Sequence, residues 1–173
     1  MSDLDLPLVE GMAQLRAVLP PFIVRCAAAA LCGGLIGLER QLKGKPAGLR
    51  TNILICVGAA MYMLVGLLLV HAAGERNTDT TRIAAQIVTG IGFLGAGCII
   101  QQGAQVTGLT SAATIWVVAA IGIVAGAGFP IIAFLASTMV VVTLEALAKV
   151  ERRWFSRTHP DDYTGANPTG ARR

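Results

Sequence analysis

The chain has 173 residues, of which 54% are hydrophobic and 14% charged, and its mean hydropathy is +0.66. That balance excludes an ordinary soluble domain, and the long uncharged runs leave little sequence for a separate soluble core. The formal charge of +4 would suggest nucleic acid or acidic partners in a soluble protein. Here the basic residues cluster between and after apolar runs, so they orient helices in a lipid bilayer, and no nucleic-acid partner is expected.

Residues 1–20 form an N-terminal segment in which Asp3, Asp5 and Glu10 precede any basic residue, unlike the positive start of a cleavable signal peptide. The first span is therefore expected to stay in the mature protein. A transmembrane domain over residues 21–148 follows, with spans near Phe22–Leu38, Thr51–Ala72, Ile83–Ile100, Ala112–Ala127 and Phe129–Ala148. Each is close to the roughly 20 residues a bilayer requires, and none shows the period-2 alternation of a barrel strand. Gly126, Gly128 and Pro130 interrupt the last apolar run and predict a helical hairpin. The class is therefore all-α, a polytopic bundle of five transmembrane helices.

Charge sets the orientation. Arg40, Lys43, Lys45 and Arg50 lie between the first two spans, and Lys149, Arg152, Arg153 and Arg157 open a basic, flexible tail over residues 149–173. Both belong in the cytoplasm, whereas the loop with Glu75, Arg76, Asp79 and Arg82 has no basic excess and belongs outside. An odd number of spans satisfies these constraints, with the N-terminus outside. Trp154 and Phe155 suit the interfacial aromatic belt.

Charges within the spans are few. Arg25 stands alone in the first span, where it either snorkels to the headgroups or faces a polar interior holding Gln86 or Asp79. Glu39, Arg40, Arg50, Thr51 and Asn52 bracket the basic loop and form the densest polar cluster. An acid at the cytoplasmic end of a span adds nothing to the orientation signal, so Glu39 either pairs with Arg40 or Arg50 or joins Glu145 at a cation entrance. The uncharged inner stretch from Gln101 to Thr114, with Thr107, Gly108, Thr110 and Ser111, predicts either a segment dipping into the bundle or an ordinary capped turn. Cys26, Cys32, Cys56 and Cys98 show no zinc-ligand spacing and are expected to be packing residues. His71 and His159 are far apart, and no nucleophile, base or metal set points to an enzyme.

Glycine is abundant, 20 of 173 residues, and mostly inside apolar runs. Gly90-Ile-Gly-Phe-Leu-Gly95 is a literal G-x-G-x-x-G, but no strand or βαβ unit surrounds it, and no acid between Asp79 and Glu145 could hold a ribose. A packing role is expected instead. At 100° per residue Gln86, Gly90, Gly97 and Gln101 share one face of the third helix and Gly92 and Gly95 another, which suits the centre of a bundle. Cys26, Ala30, Gly33 and Gly37 on the first span, and Ala119, Gly122 and Gly126 on the fourth, make similar stripes. They serve contacts within one chain or in a homodimer equally well.

Four segments in order, Gly34-Leu-Ile-Gly-Leu-Glu-Arg40, Gly44-Lys-Pro-Ala-Gly-Leu-Arg-Thr51, Arg82-Ile-Ala-Ala-Gln-Ile-Val-Thr-Gly-Ile-Gly-Phe-Leu-Gly-Ala-Gly97 and Gly108-Leu-Thr-Ser-Ala-Ala-Thr-Ile-Trp116, resemble the signature segments of the MgtC/SapB family. The resemblance covers the chain from about Arg25 to the fifth span. It implies a multi-pass protein of the bacterial inner membrane, with family roles in low-magnesium adaptation and in virulence, through survival inside macrophages. It also implies two functional classes: regulation of another membrane protein, ATP synthase among them, or transport of Mg²⁺ or another cation. Larger members carry a soluble C-terminal domain, whose functions are not carried over to this chain. The scarcity of carboxylates in the spans weighs toward regulation, because Mg²⁺ prefers several oxygen ligands.

Overall fold

The computed structural model describes residues 5–72 and 80–154. Five helices are present: α1 (Asp5–Leu42), α2 (Leu49–Ala72), α3 (Thr81–Ala96), α4 (Leu109–Gly126) and α5 (Pro130–Trp154). Four of them, α1, α2, α4 and α5, carry stretches long and apolar enough to cross a membrane. Hydroxyls inside the helices are satisfied locally. Thr89, Thr114, Thr138 and Thr143 each donate to the carbonyl one turn earlier, which removes the need for a partner in lipid.

Two helix ends are built alike. After α1 the amides of Gly44 and Lys45 donate to the carbonyls of Gln41 and Arg40; after α4 those of Gly128 and Phe129 donate to Ala125 and Val124. Both are Schellman ends, and each needs one left-handed residue, supplied by Gly44 at φ +62° and Gly128 at φ +101°. Pro130 then starts α5 with its φ already fixed.

The core is a sandwich of α1, α2 and α4. A Cβ at Gly33 would sit 2.6 Å from the Asn52 carbonyl oxygen, and one at Gly37 would sit 2.8 Å from the Leu49 Cα. Further along the same face of α2, Cβ atoms at Gly122 and Gly126 would collide with the Cys56 and Ala60 carbonyls. The stripes on α1 and α4 thus seat both helices side by side on one buried face of α2, within one chain, with Cys56 met by both. Ala29, Cys32, Ile36, Cys56, Ala60, Ile115, Val118 and Ala125 fill the space between, and α5 lies over α1 and α4 through Ala133 and Ser137.

The third helix differs from expectation. It ends at Ala96 rather than Ile100, so Gly97 and Gln101 are off the helix, and it lies at the edge of the bundle rather than its centre. The central position belongs to α4, which meets every other helix and is small or apolar all round. Gly95 does approach α4, where a Cβ on it would sit 3.6 Å from the Ala112 carbonyl oxygen, but a Cβ at Gly90 or Gly92 would meet nothing within 4 Å.

Beyond α3 the helical fold carries one small local exception. The chain forms a two-stranded antiparallel ribbon, β1 (Ile100–Gln102) with β2 (Gln105–Thr107), in the register Gln101 opposite Val106. Gly103, at φ +61°, takes the first central position of its two-residue turn, where a primed hairpin turn needs positive φ. The inner stretch therefore neither dips into the bundle nor forms a simple capped turn. Gly108, at φ +88°, folds back so closely on the Cys98 carbonyl that no side chain fits.

These contacts give a paired expectation. Gly122→Ala should destabilise the bundle by about 1–3 kcal/mol through overpacking. Gly92→Ala, in open space, should change little or add about 0.5–1 kcal/mol from helix propensity. Thermal unfolding of both variants in the same detergent checks the contrast.

Candidate functional site

The polar cluster forms where α1 ends. Glu39 and Arg40 close the last turn of the helix, both buried, at 7% and 3% exposure. Glu39 Oε2 accepts from Arg40 Nε at 2.7 Å and Oε1 from Arg40 Nη2 at 3.2 Å. One turn on, Lys43 Nζ lies 2.7 Å from Glu39 Oε1 and reaches across to Glu145 Oε1 of α5 at 2.9 Å. Two carboxylates and two cations thus neutralise one another. Hydrogen bonds to Glu39 and then to Glu145 hold the Lys43 ammonium above its ordinary value of 10.5.

Asn52 anchors the turn from α2. It is fully buried, and its Nδ2 donates to the Ala47 and Gly48 carbonyls, at 2.8 Å each. Gln41 helps by accepting the Leu49 amide at 3.1 Å. Arg40 Nη1 and Asn52 Oδ1 are buried in the cluster without a hydrogen-bond partner among the described residues, whereas Lys43 Nζ, also buried, is met by its two ion-pair partners. Arg50 is exposed, so the pairing of Glu39 falls to Arg40 and not to Arg50.

Arg25 meets the turn between α4 and α5. Its Nη1 donates to the Gly126 carbonyl at 3.1 Å, and its guanidinium lies against Gly128. A cation there meets the negative end of the α4 dipole and satisfies a carbonyl the helix leaves open. Residues 101 positions apart make this bond, and no local pattern announces it. Gln86 instead lines a cavity of about 740 Å³ between α2 and α3. Asp79 and His159 lie outside the described residues, as do Glu75, Arg76, Phe155 and Arg157. Among the described residues no three His, Cys, Asp or Glu side chains converge as metal ligands.

The arrangement of these motifs along the helices matches one family model, the MgtC family, over residues 26–153. The chain belongs to the MgtC family. Among its relatives, YhiD of Escherichia coli, which its name assigns provisionally to magnesium transport, is 43% identical over 141 residues, covering 80% of this chain and 66% of that protein. The MgtC protein of Brucella abortus is 47% identical over 123 residues, 71% of this chain and 49% of its own length. That of Salmonella typhimurium is 47% identical over 114 residues, 65% and 46% respectively. The chain thus spans about half to two thirds of the length of these curated relatives. No solved structure matches. Family membership, together with four helices long and apolar enough to span a bilayer, makes this a protein of the bacterial inner membrane.

Two expectations follow for the cluster. Glu39→Gln should cost about 3–5 kcal/mol, because it leaves buried Arg40 without its counter-charge. Glu145→Gln, at a side chain 43% exposed, should cost under about 1 kcal/mol. Chemical denaturation in detergent separates the two. Because the fold raises the Lys43 pKa, its contribution should be complete below pH 10.5 and fade as pH rises through the higher folded value. The difference in melting temperature between wild type and Lys43→Met should shrink over that alkaline window.

Proposed function

We propose that this chain regulates another membrane protein through helix contacts, working as a five-span bundle with its N-terminus outside and its C-terminus in the cytoplasm. The observation carrying this reading is the outward face of α3. Ala85, Thr89, Gly92 and Ala96 follow one another at helical spacing, and all are exposed. Gly92 has nothing within 4 Å. The small-residue stripes of α1 and α4 are used up inside the chain, whereas this one has the smoothness that lets a transmembrane helix approach closely. ATP synthase, which the family resemblance suggests, is the first partner to test.

The topology draws support from the ion pair between Lys43 and Glu145. It brings the basic α1–α2 turn and the basic end of α5 to one side, as positive-inside orientation requires. At 16 residues α3 is about 24 Å long, a little short of the roughly 30 Å hydrocarbon core.

Cation transport, the second reading, is favoured by the provisional name of the YhiD relative. Against it, the one buried carboxylate of the described cluster already faces two cations of the protein itself.

Native purification in mild detergent, with mass spectrometry of the complex, tests the proposal. A foreign membrane subunit should accompany the wild type and be lost from Gly92→Leu. A homo-oligomer without other subunits, showing saturable Mg²⁺ flux in liposomes that hold only this protein, would overturn it.

A further inference from the structure

The cavity between α2 and α3 is independent of that reading. It is lined by apolar side chains of both helices, with Tyr62, Gln86 and Arg82 as its polar members. Gly58 and Gly90 face open space, since a Cβ at either position meets nothing within 4 Å. At the end nearer Arg82 the helices do touch, and a Cβ at Gly66 would collide with the Ile83 side chain. The gap is thus a groove closed at one end, with a guanidinium at that end and hydrocarbon along the rest.

In a bilayer such a groove must be filled, and its shape selects the occupant. A helix is about 10–12 Å across with its side chains and as long as the bilayer is thick. It could not lie between α2 and α3 without prising Gly66 from Ile83. An acyl chain is thin and flexible enough to stop there. From Arg82 to Leu94 the groove runs about 18 Å by helical rise, close to the roughly 15 Å depth of one leaflet. Arg82 sits in the first turn of α3, which carries no acidic residue, and the Thr80 side chain makes no capping bond there. Guanidinium and helix N-terminus together complement a phosphodiester.

We infer that the α2–α3 groove binds one phospholipid, its phosphate at Arg82 and an acyl chain along Gly58 and Gly90, with preference for an anionic headgroup. The lipid would supply the apolar contact that α3 lacks on its α2 side.

The test uses the full chain in nanodiscs of equal parts phosphatidylglycerol and phosphatidylethanolamine, released into the gas phase for native mass spectrometry. Wild type should retain one phospholipid per chain after the loosely held shell is stripped, enriched in phosphatidylglycerol. Gly90→Leu and Gly58→Leu place a side chain in the groove without a clash, and should lose that lipid at an unchanged melting temperature. Arg82→Gln should keep a lipid but lose the headgroup preference. Wild type stripped bare, leucine variants that retain as much lipid as wild type, or a dimer that dissociates when the groove is filled would each overturn the inference. An unaltered headgroup preference in Arg82→Gln would overturn the assignment of the phosphate.

Discussion

Helices in lipid gain nothing from hiding apolar surface against one another, because the surrounding tails are equally apolar; close backbone approach has to hold them together. The fold depends on that constraint at α2. Gly33 and Gly37 bring α1 onto its Asn52 and Leu49 backbone, and Gly122 and Gly126 bring α4 onto Cys56 and Ala60 further along the same buried face. A single methyl group at any of the four has nowhere to go. Cα-to-backbone contact of this kind gains many small dispersion terms and loses little side-chain entropy, since glycine and alanine have almost none to lose.

The clamp also explains how charges are tolerated inside the bundle. With α1 and α2 held tightly, their connecting turn is fixed by Asn52, and Glu39 and Arg40 are carried below the surface. A buried carboxylate is costly unless paired, and the chain pairs it twice, with the next residue and with the residue one turn on. The second of these cations then reaches α5, so a local solution to a desolvation problem also ties the last helix to the first. Arg25 does the same about halfway along α1, joining it to the turn between α4 and α5. α1 is thereby cross-braced by a cation at its middle and another just past its C-terminal end.

Much of this was legible in the sequence because hydropathy and glycine spacing are local signals. The spans, the hairpin at Gly126 to Pro130, the stripes on α1 and α4 and the concentration of polar residues around Glu39 can all be read from short windows. The partners of Arg25 and Lys43 could not, because Gly126 and Glu145 come beside them only after the whole bundle has assembled. The third helix misled for a physical reason. Glycine spacing shows where close approach is permitted, not whether a neighbour takes it up, and Gly90 and Gly92 remain open while Gly95 does not. The ribbon was overlooked although its sign was present: Gly103-Ala104 between Ile100-Gln-Gln102 and Gln105-Val-Thr107 is a two-residue turn with β-branched residues on both sides.

The unequal packing of the helices bears on what the bundle can do. α1, α2 and α4 interlock at backbone distance and are braced by ions, so they have little freedom to rearrange. α3 rests on α4 through Gly95, touches α2 near Gly66 and packs Ile87 and Ile91 on the core, while much of its remaining surface is exposed among the described residues. A helix held on one side by protein and on the others by exchangeable neighbours can shift without unfolding the core, and elements of low local stability are the ones from which moving parts are drawn. Its outward stripe and its groove lie on different faces of the same short helix, so a lipid held in the proposed groove would set the position from which the stripe meets the proposed partner. In this bundle the rigid part provides the frame, and the adjustable part is the helix richest in unused glycine.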